Sequence, residues 1–241
     1  AHKPVHQIRR AVQDLGANSM QELNDHDTNV LRLFVRNCRK RRSQPKVADT
    51  TGQELTAGGL LMRALIFRRL LLREILAPDE KFVGLLLPPS VGGVLANVAL
   101  PLAGRVGVNL NYTASREVMD SCIRQCGIRH VLTSRRVMQR LNLEVSAEVV
   151  YLEDFITKVT KLDKLIAACM TYAMPHFWLE RHLGLHKITP DDLLTVLFTS
   201  GSTGDPKGVM LSYRNVGSNV QSIDEVVHLT TSDTAVGVLP F

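Results

Sequence analysis

The run Phe82-Val83-Gly84-Leu85-Leu86-Leu87, followed by Pro88-Pro89-Ser90 and then by Val91 to Leu102, sets the reading of this chain. It is uncharged from Phe82 to Gly104, which is long enough to be tested as a membrane span. Pro88, Pro89, Pro101 and the glycines break such a span, and the stretch reads instead as a buried strand, a turn and a buried helix. The same alternation continues downstream. Arg105 to Val108 reads as a strand, Ser115 to Cys126 as a helix, Ile128 to Thr133 as a strand, Ser134 onward as a helix, and Val149 to Leu152 as a strand. Short apolar runs alternating with helical segments predict an α/β fold with a mainly parallel sheet flanked by helices on both faces. Residues 153–190 read as a helical connector broken at Met174-Pro175, and Asp191 to Phe198 returns as a further strand.

Upstream, Ala57 to about Leu76 predicts a helix that is apolar on almost every side, with Arg63, Arg68, Arg69 and Arg73 spread around it. It reads either as a helix packed between layers with its arginines extending to solvent, or as one that touches a membrane surface. Before it, Lys46 to Asp49 and Gln53 to Thr56 form a hairpin across Thr50-Thr51-Gly52. Thr28 to Arg42 reads as a helix capped by Asp27 or Thr28, with Val30, Leu31, Phe34 and Val35 at helical spacing. Residues 1–25 are polar and weakly patterned. They read as a linker or the tail of a preceding domain, with the organised domain beginning at residue 26.

Over 241 residues the chain is 45% apolar and 22% charged, a globular composition that excludes a disordered tail, a fibrous repeat and a multi-pass membrane protein. Its net charge of +6 favours anionic partners in general but not nucleic acid, because aromatics make up only 5% and are not interleaved with the basic residues. The dense run Arg39-Lys40-Arg41-Arg42 ends a predicted helix, where cations facing the C-terminal dipole are the plain explanation and a binding patch the other. Cys38, Cys122, Cys126 and Cys169 are too few and scattered for a disulfide framework, and Cys122 and Cys126 lack the partners of a zinc site. That pair reads as buried thiols, the four cysteines together fit a reducing, cytoplasmic setting, and no apolar signal core opens the chain.

The loop after the last strand carries the chemistry. Leu197-Phe198-Thr199-Ser200-Gly201-Ser202-Thr203-Gly204-Asp205-Pro206-Lys207-Gly208 combines hydroxyl donors, glycines that let the backbone approach a ligand closely, and one full positive charge. A polyphosphate suits that set, and α/β folds place ligands at strand ends. The loop is not a Walker A sequence, because Lys207 lies between Pro206 and Gly208 rather than before Ser or Thr. A flexible Gly/Ser surface loop is the plain alternative.

Thr199 to Gly208 resembles the phosphate-loop signature of the adenylate-forming (AMP-binding) superfamily, and Val83 to Pro89 and Ala99 to Asn111 resemble segments of the same family. Narrower similarity lies in Leu110 to Ala114, Leu132 to Arg136, Val150 to Asp154, Asp163-Lys164 and Met174-Pro175. In that order they resemble the acyl-[acyl-carrier-protein] synthetase half of the bifunctional synthetases/2-acylglycerophosphoethanolamine acyltransferases. On that resemblance residues 26–241 are the N-terminal portion of an adenylation domain. Thr199, Ser200, Ser202 and Thr203 would be hydroxyl donors to ATP phosphates, Gly201 and Gly204 permissive backbone, and Lys207 the cation for the β- and γ-phosphates.

The resemblance implies an AMP-forming acid–thiol ligase that activates a fatty acid with ATP and passes it to acyl carrier protein or coenzyme A. It implies magnesium with the ATP, for which no carboxylate of this chain is assigned, and it allows association of the parent protein with the inner face of the cell membrane. Leu211-Ser212-Tyr213-Arg214-Asn215 departs from relatives that carry a histidine there, so no histidine role is assigned. The match stops at Val238-Leu239-Pro240-Phe241, before the family's adenine motif, metal ligand and lysine-bearing C-terminal domain, so these residues alone are expected to be inactive. The rival reading is a non-catalytic α/β module that binds a protein partner or an anionic membrane surface through its basic N-terminal third.

Overall fold

The computed structural model describes residues 29–141, 144–199, 205–228, 230 and 232–237. The expected linker over 1–25 lies outside them. The first helix, α1, spans Val30–Lys40 and is capped by Asn29, whose side chain accepts the Arg32 N–H at 3.0 Å; the expected caps Asp27 and Thr28 lie outside the described residues. Leu31, Val35 and Cys38 form its buried stripe. Strands β1 (Pro45–Ala48) and β2 (Glu54–Thr56) pair antiparallel in the expected hairpin. Asp49 fastens the hairpin to the body of the domain by accepting the Val91 N–H at 2.9 Å.

Helix α2 (Ala57–Leu70) extends through a π-helical turn, Leu71–Ile75. Its all-round apolarity has a direct cause: Leu61 and Leu65 face one buried cluster, Phe67, Leu70 and Leu71 another. Of its arginines, Arg63 and Arg73 are exposed, as expected, whereas Arg68 and Arg69 are half-buried. Arg68 Nε donates to the Leu102 carbonyl at 2.7 Å, and Arg69 and the solvent-exposed Arg73 both bond to the buried carboxylate of Asp163.

The central sheet contains β3 (Phe82–Leu85), β4 (Val106–Asn109), β5 (His130–Thr133), β6 (Glu148–Tyr151), β7 (Leu193–Thr199) and β8 (Lys207–Ser212), in the order β6-β5-β3-β4-β7-β8. All neighbours are parallel except β7 and β8. The intervening helices are α3 (Val91–Leu102), α4 (Arg116–Cys126) and α5 (Arg135–Leu141), and Ser90 and Ser115 cap the first two through their side chains. The strand period of two separates the faces. Val83 and Leu85 pack with α2 and α3, whereas Val106, Val108, Val131 and Val196 pack with Met119, Cys122 and Ile123 of α4. The stretch from Phe82 to Gly104 is thus a strand, a turn and a helix, and among the described residues no helix is long and apolar enough to cross a membrane.

After β6 come α6 (Leu152–Lys158), α7 (Lys161–Ala168) with a π turn over Cys169–Ala173, and α8 (His176–His182), with the break at Met174-Pro175 as expected. This region is more than a connector. Ala167, Met170, Leu179, Leu183 and Leu185 are buried against α1 and α2, forming part of the core. Helix α9 (Tyr213–Val227) follows β8, with a capping box between Ser212 and Asn215.

Candidate functional site

Strand β7 ends at Thr199, and β8 begins at Lys207, its register partner across the antiparallel pair. The loop between them therefore leaves the carboxyl end of the parallel sheet as the tip of a hairpin, with Thr199 and Lys207 side by side at its base. The second strand of that hairpin was absent from the sequence reading, which ended at Phe198. The loop leaves the sheet between β4, whose connection crosses to β5 on one side, and β8 on the other, so it lies where the connections of neighbouring strands diverge.

Of the residues assigned to ATP phosphates, Thr199 and Lys207 are described; Ser200, Gly201, Ser202, Thr203 and Gly204 lie outside the described residues. Thr199 Oγ1 donates to the Lys207 carbonyl at 3.5 Å, a long bond that holds the two ends together. The Lys207 side chain is exposed and forms no ion pair with the described carboxylates, which leaves its charge for an anion. Gly208 is needed for packing: a Cβ there would lie 3.2 Å from the Phe198 ring and 3.3 Å from Val196. Without a side chain the strand lies flat against that ring and fixes the exit of the loop.

Two supports were not legible in the sequence. Gln125, on the last turn of α4, donates from Nε2 to the Pro206 carbonyl at 3.1 Å and so pins the loop's far end to a helix 81 positions away. Pro206, Phe198 and Thr199 also line a small cavity of about 80 Å³ with Leu110, Met119 and Cys122. Next to it, Asn97 and Asn109 exchange amide hydrogen bonds at 3.0 and 3.3 Å, which satisfies a buried polar side chain at the carboxyl end of β4. A polar Asn ending the apolar run Val106-Gly107-Val108 was the one available signal for it.

Of the pair read as buried thiols, Cys122 is buried and Cys126 half-buried; Cys38 is buried and Cys169 exposed. Burial pushes the Cys38 thiol up to about 11, and burial followed by the neighbouring Cys126 does the same to Cys122. Neither is a nucleophile at neutral pH. Among the described residues no group of three or more His, Cys, Asp or Glu could hold a metal, and the described part of the loop offers one carboxylate, Asp205.

Residues 34–241 match the AMP-binding enzyme family. The chain is 28% identical over 183 residues to tyrocidine synthase 3 of Brevibacillus parabrevis, covering 73% of this chain and 2% of that protein. It is 39% identical over 61 residues to fatty acyl-CoA synthetase B of Dictyostelium discoideum, covering 24% of this chain and 9% of that one. The structure of VinN in complex with 3-methylaspartate superposes with a TM-score of 0.67 at 20% identity, over 84% of this chain and 53% of VinN, a likeness of fold. The chain thus spans about half of that structure and a small fraction of the curated relatives. With the match running from within α1 through every later described element, the chain belongs to the AMP-binding enzyme family.

Proposed function

We propose that this chain supplies the phosphate-binding part of a domain that activates a carboxylate with ATP. The observation that carries the reading is the Thr/Ser/Gly loop at the carboxyl end of β7, with Thr199 and Lys207 in register at its base. In this reaction a carboxylate oxygen attacks the α-phosphorus, the bond from that phosphorus to the bridging oxygen breaks, and pyrophosphate leaves with the electron pair. A thiolate then attacks the acyl carbonyl and AMP departs. Thr199, Ser200, Ser202 and Thr203 are assigned as donors to the phosphates, with Gly201 and Gly204 allowing the backbone to approach. Lys207 opposes the charge that builds on the departing pyrophosphate. Magnesium enters bound to the nucleotide, and no step is assigned to it here.

The carboxylate we favour is a fatty acid, with acyl carrier protein or coenzyme A as thiol, in a protein of the synthetase/acyltransferase type. The segments from Leu110 to Ala114 and from Val150 to Asp154 support that choice, as does the local identity to a fatty acyl-CoA synthetase. A second reading, an amino acid substrate, has its own support in the longer match to tyrocidine synthase 3.

The test is carboxylate-dependent ATP–pyrophosphate exchange by the full-length protein, with medium- and long-chain fatty acids beside a panel of amino acids. Lys207→Ala lowers exchange on the order of a hundredfold while the thermal melt is unchanged. Undiminished exchange in that variant overturns the loop's role, and exchange with amino acids alone replaces the fatty acid reading by the second.

A further inference from the structure

Away from the phosphate loop, the C-terminal end of α1 meets the π turn after α7 and leaves a cleft of about 550 Å³ between them. Arg39, Lys40 and Arg42 line it from α1 and the turn that follows, and Thr171, Tyr172 and His176 from the segment after α7. Among the described residues no carboxylate lines it. The volume suits a small organic molecule rather than a lone ion.

The walls are fixed by the backbone. Arg39 donates from Nε to the Thr171 carbonyl at 2.9 Å and from Nη2 to the Met174 carbonyl. The Gly58 N–H donates to the Arg42 carbonyl at 2.9 Å, and a Cβ at Gly58 would lie 2.9 Å from that oxygen and 3.0 Å from the Tyr172 hydroxyl. Glycine lets these three segments meet, so the cleft is built into the fold. Arg36, also at its border, pairs with Glu180 at 2.6 Å. No ion pair with a described carboxylate occupies Lys40 or Arg42, both of them exposed.

Two buried donors show what the cleft can take. Arg39 Nη1 and Thr171 Oγ1 are buried without a hydrogen-bond partner, and Thr171 as a whole is 2% exposed. Unpaired buried polar groups are costly, and these two belong to residues that line one cleft. Burial also works against the Arg39 charge, which an anion alongside would relieve. A guanidinium can only donate, a hydroxyl can donate, and Lys40, Arg42 and His176 offer further N–H groups, so the matching group is an anion with several oxygens. Because the orphan donors are buried while Lys40, Arg42 and His176 are exposed, that group has to enter the cleft rather than lie across its mouth. A terminal phosphate is compact, carries close to two charges at neutral pH and accepts from several directions at once.

We propose that this cleft binds a soluble phosphate monoester. Arg39 and Thr171 donate to its inner oxygens, Lys40, Arg42 and His176 surround the rest, and the organic part lies against the exposed Tyr172 ring. Occupation ties α1 to the turn after α7. The proposal does not rest on the adenylation reading, since none of these residues belongs to the phosphate loop.

The test is equilibrium dialysis of radiolabelled inorganic phosphate with the full-length protein, made throughout in a Lys207→Ala background so that the phosphate loop lacks its cation. Saturable binding is expected, with glucose 6-phosphate competing at least as well as unlabelled phosphate and glucose not competing. Lys40→Ala with Arg42→Ala lowers the affinity about tenfold or more, the worth of one charge-assisted hydrogen bond. Lys81→Ala with Arg124→Ala, an equal loss of exposed charge on β3's approach and on α4, leaves it intact. Thr171→Val removes an unpaired buried hydroxyl, so the phosphate-free melt stays level or rises while phosphate affinity falls severalfold. A lower melt in that variant would mean that the hydroxyl already has a partner, and it overturns the proposal. Absence of binding, equal loss in the two double variants, or weaker competition by glucose 6-phosphate than by phosphate overturns it as well.

Discussion

Arg69 Nε donates to Asp163 Oδ1 at 3.0 Å across 94 positions of sequence, joining α2 to the N-terminal turn of α7. Arg73 completes the arrangement with bonds of 3.1 and 3.2 Å to the two carboxylate oxygens; the Thr160 hydroxyl and N–H both donate to Oδ2, and the Asp163 N–H donates back to the Thr160 hydroxyl to close a capping box. Burial works to raise the Asp163 carboxyl, but the Thr160 hydroxyl, the Thr160 N–H and the two guanidinia outweigh it and hold the group well below the usual carboxylate range. Asp163→Asn leaves the guanidinia without their charge partner and is expected to cost about 3 kcal/mol at neutral pH. A group whose folded pKa is depressed adds stability above the unfolded value of about 4, lost as pH falls below it. Urea melts between neutral pH and pH 3 check this: the gap between the native chain and the variant narrows with acid. A gap independent of pH would assign the loss to packing alone.

Gly84 lies in the middle of β3, and a Cβ there would meet Val131 Cγ2 at 2.9 Å, Leu110 Cδ1 at 3.2 Å and Ile128 Cγ2 at 3.3 Å. These neighbours are themselves packed in the core, so they have little room to yield. Gly84→Ala is expected to destabilise by about 1–3 kcal/mol through overpacking, despite the higher strand preference of alanine. The check is the urea midpoint at an unchanged slope.

The four thiols separate by environment. Cys169 is exposed, whereas Cys38 and Cys122 are buried with thiols raised to about 11. Ellman's reagent at pH 8 is expected to modify Cys169 first and Cys126 more slowly, while Cys38 and Cys122 react only in denaturant. Fast reaction of Cys38 in the native chain would contradict its place between α1 and the core.

Gln125 is argued to position the phosphate loop through the Pro206 carbonyl. In the full-length protein, Gln125→Ala should raise KM for ATP by about two- to tenfold, the worth of one neutral hydrogen bond, with a smaller change in kcat and none in the melt. Gln125→Glu, which cannot donate at neutral pH, should behave like the alanine variant. A KM equal to that of the native protein in both would reduce the contact to ornament.

What the sequence determined by itself was local and periodic. Apolar runs between Ser90, Ser115 and the prolines marked strands and helix starts, because capping and side-chain periodicity act over a few residues. The Thr199 to Gly208 pattern pointed to the family, because its hydroxyls, glycines and lysine stand in consecutive positions that can be read without knowing the fold. The pairing of Lys207 to Ser212 as an antiparallel strand was not legible: its face is exposed at the sheet edge, and without burial on one side the period of two has no hydrophobic mark. Nor was the pairing of Arg69 and Arg73 with Asp163, since their partner is a single aspartate in a segment that reads as a helical connector. The reach of Gln125 to Pro206 and the meeting of Arg39 with the backbone after α7 belong to the same class. Each joins groups far apart in the chain, and only the packing of helices on a formed sheet brings their donors and acceptors within 3 Å or so of each other.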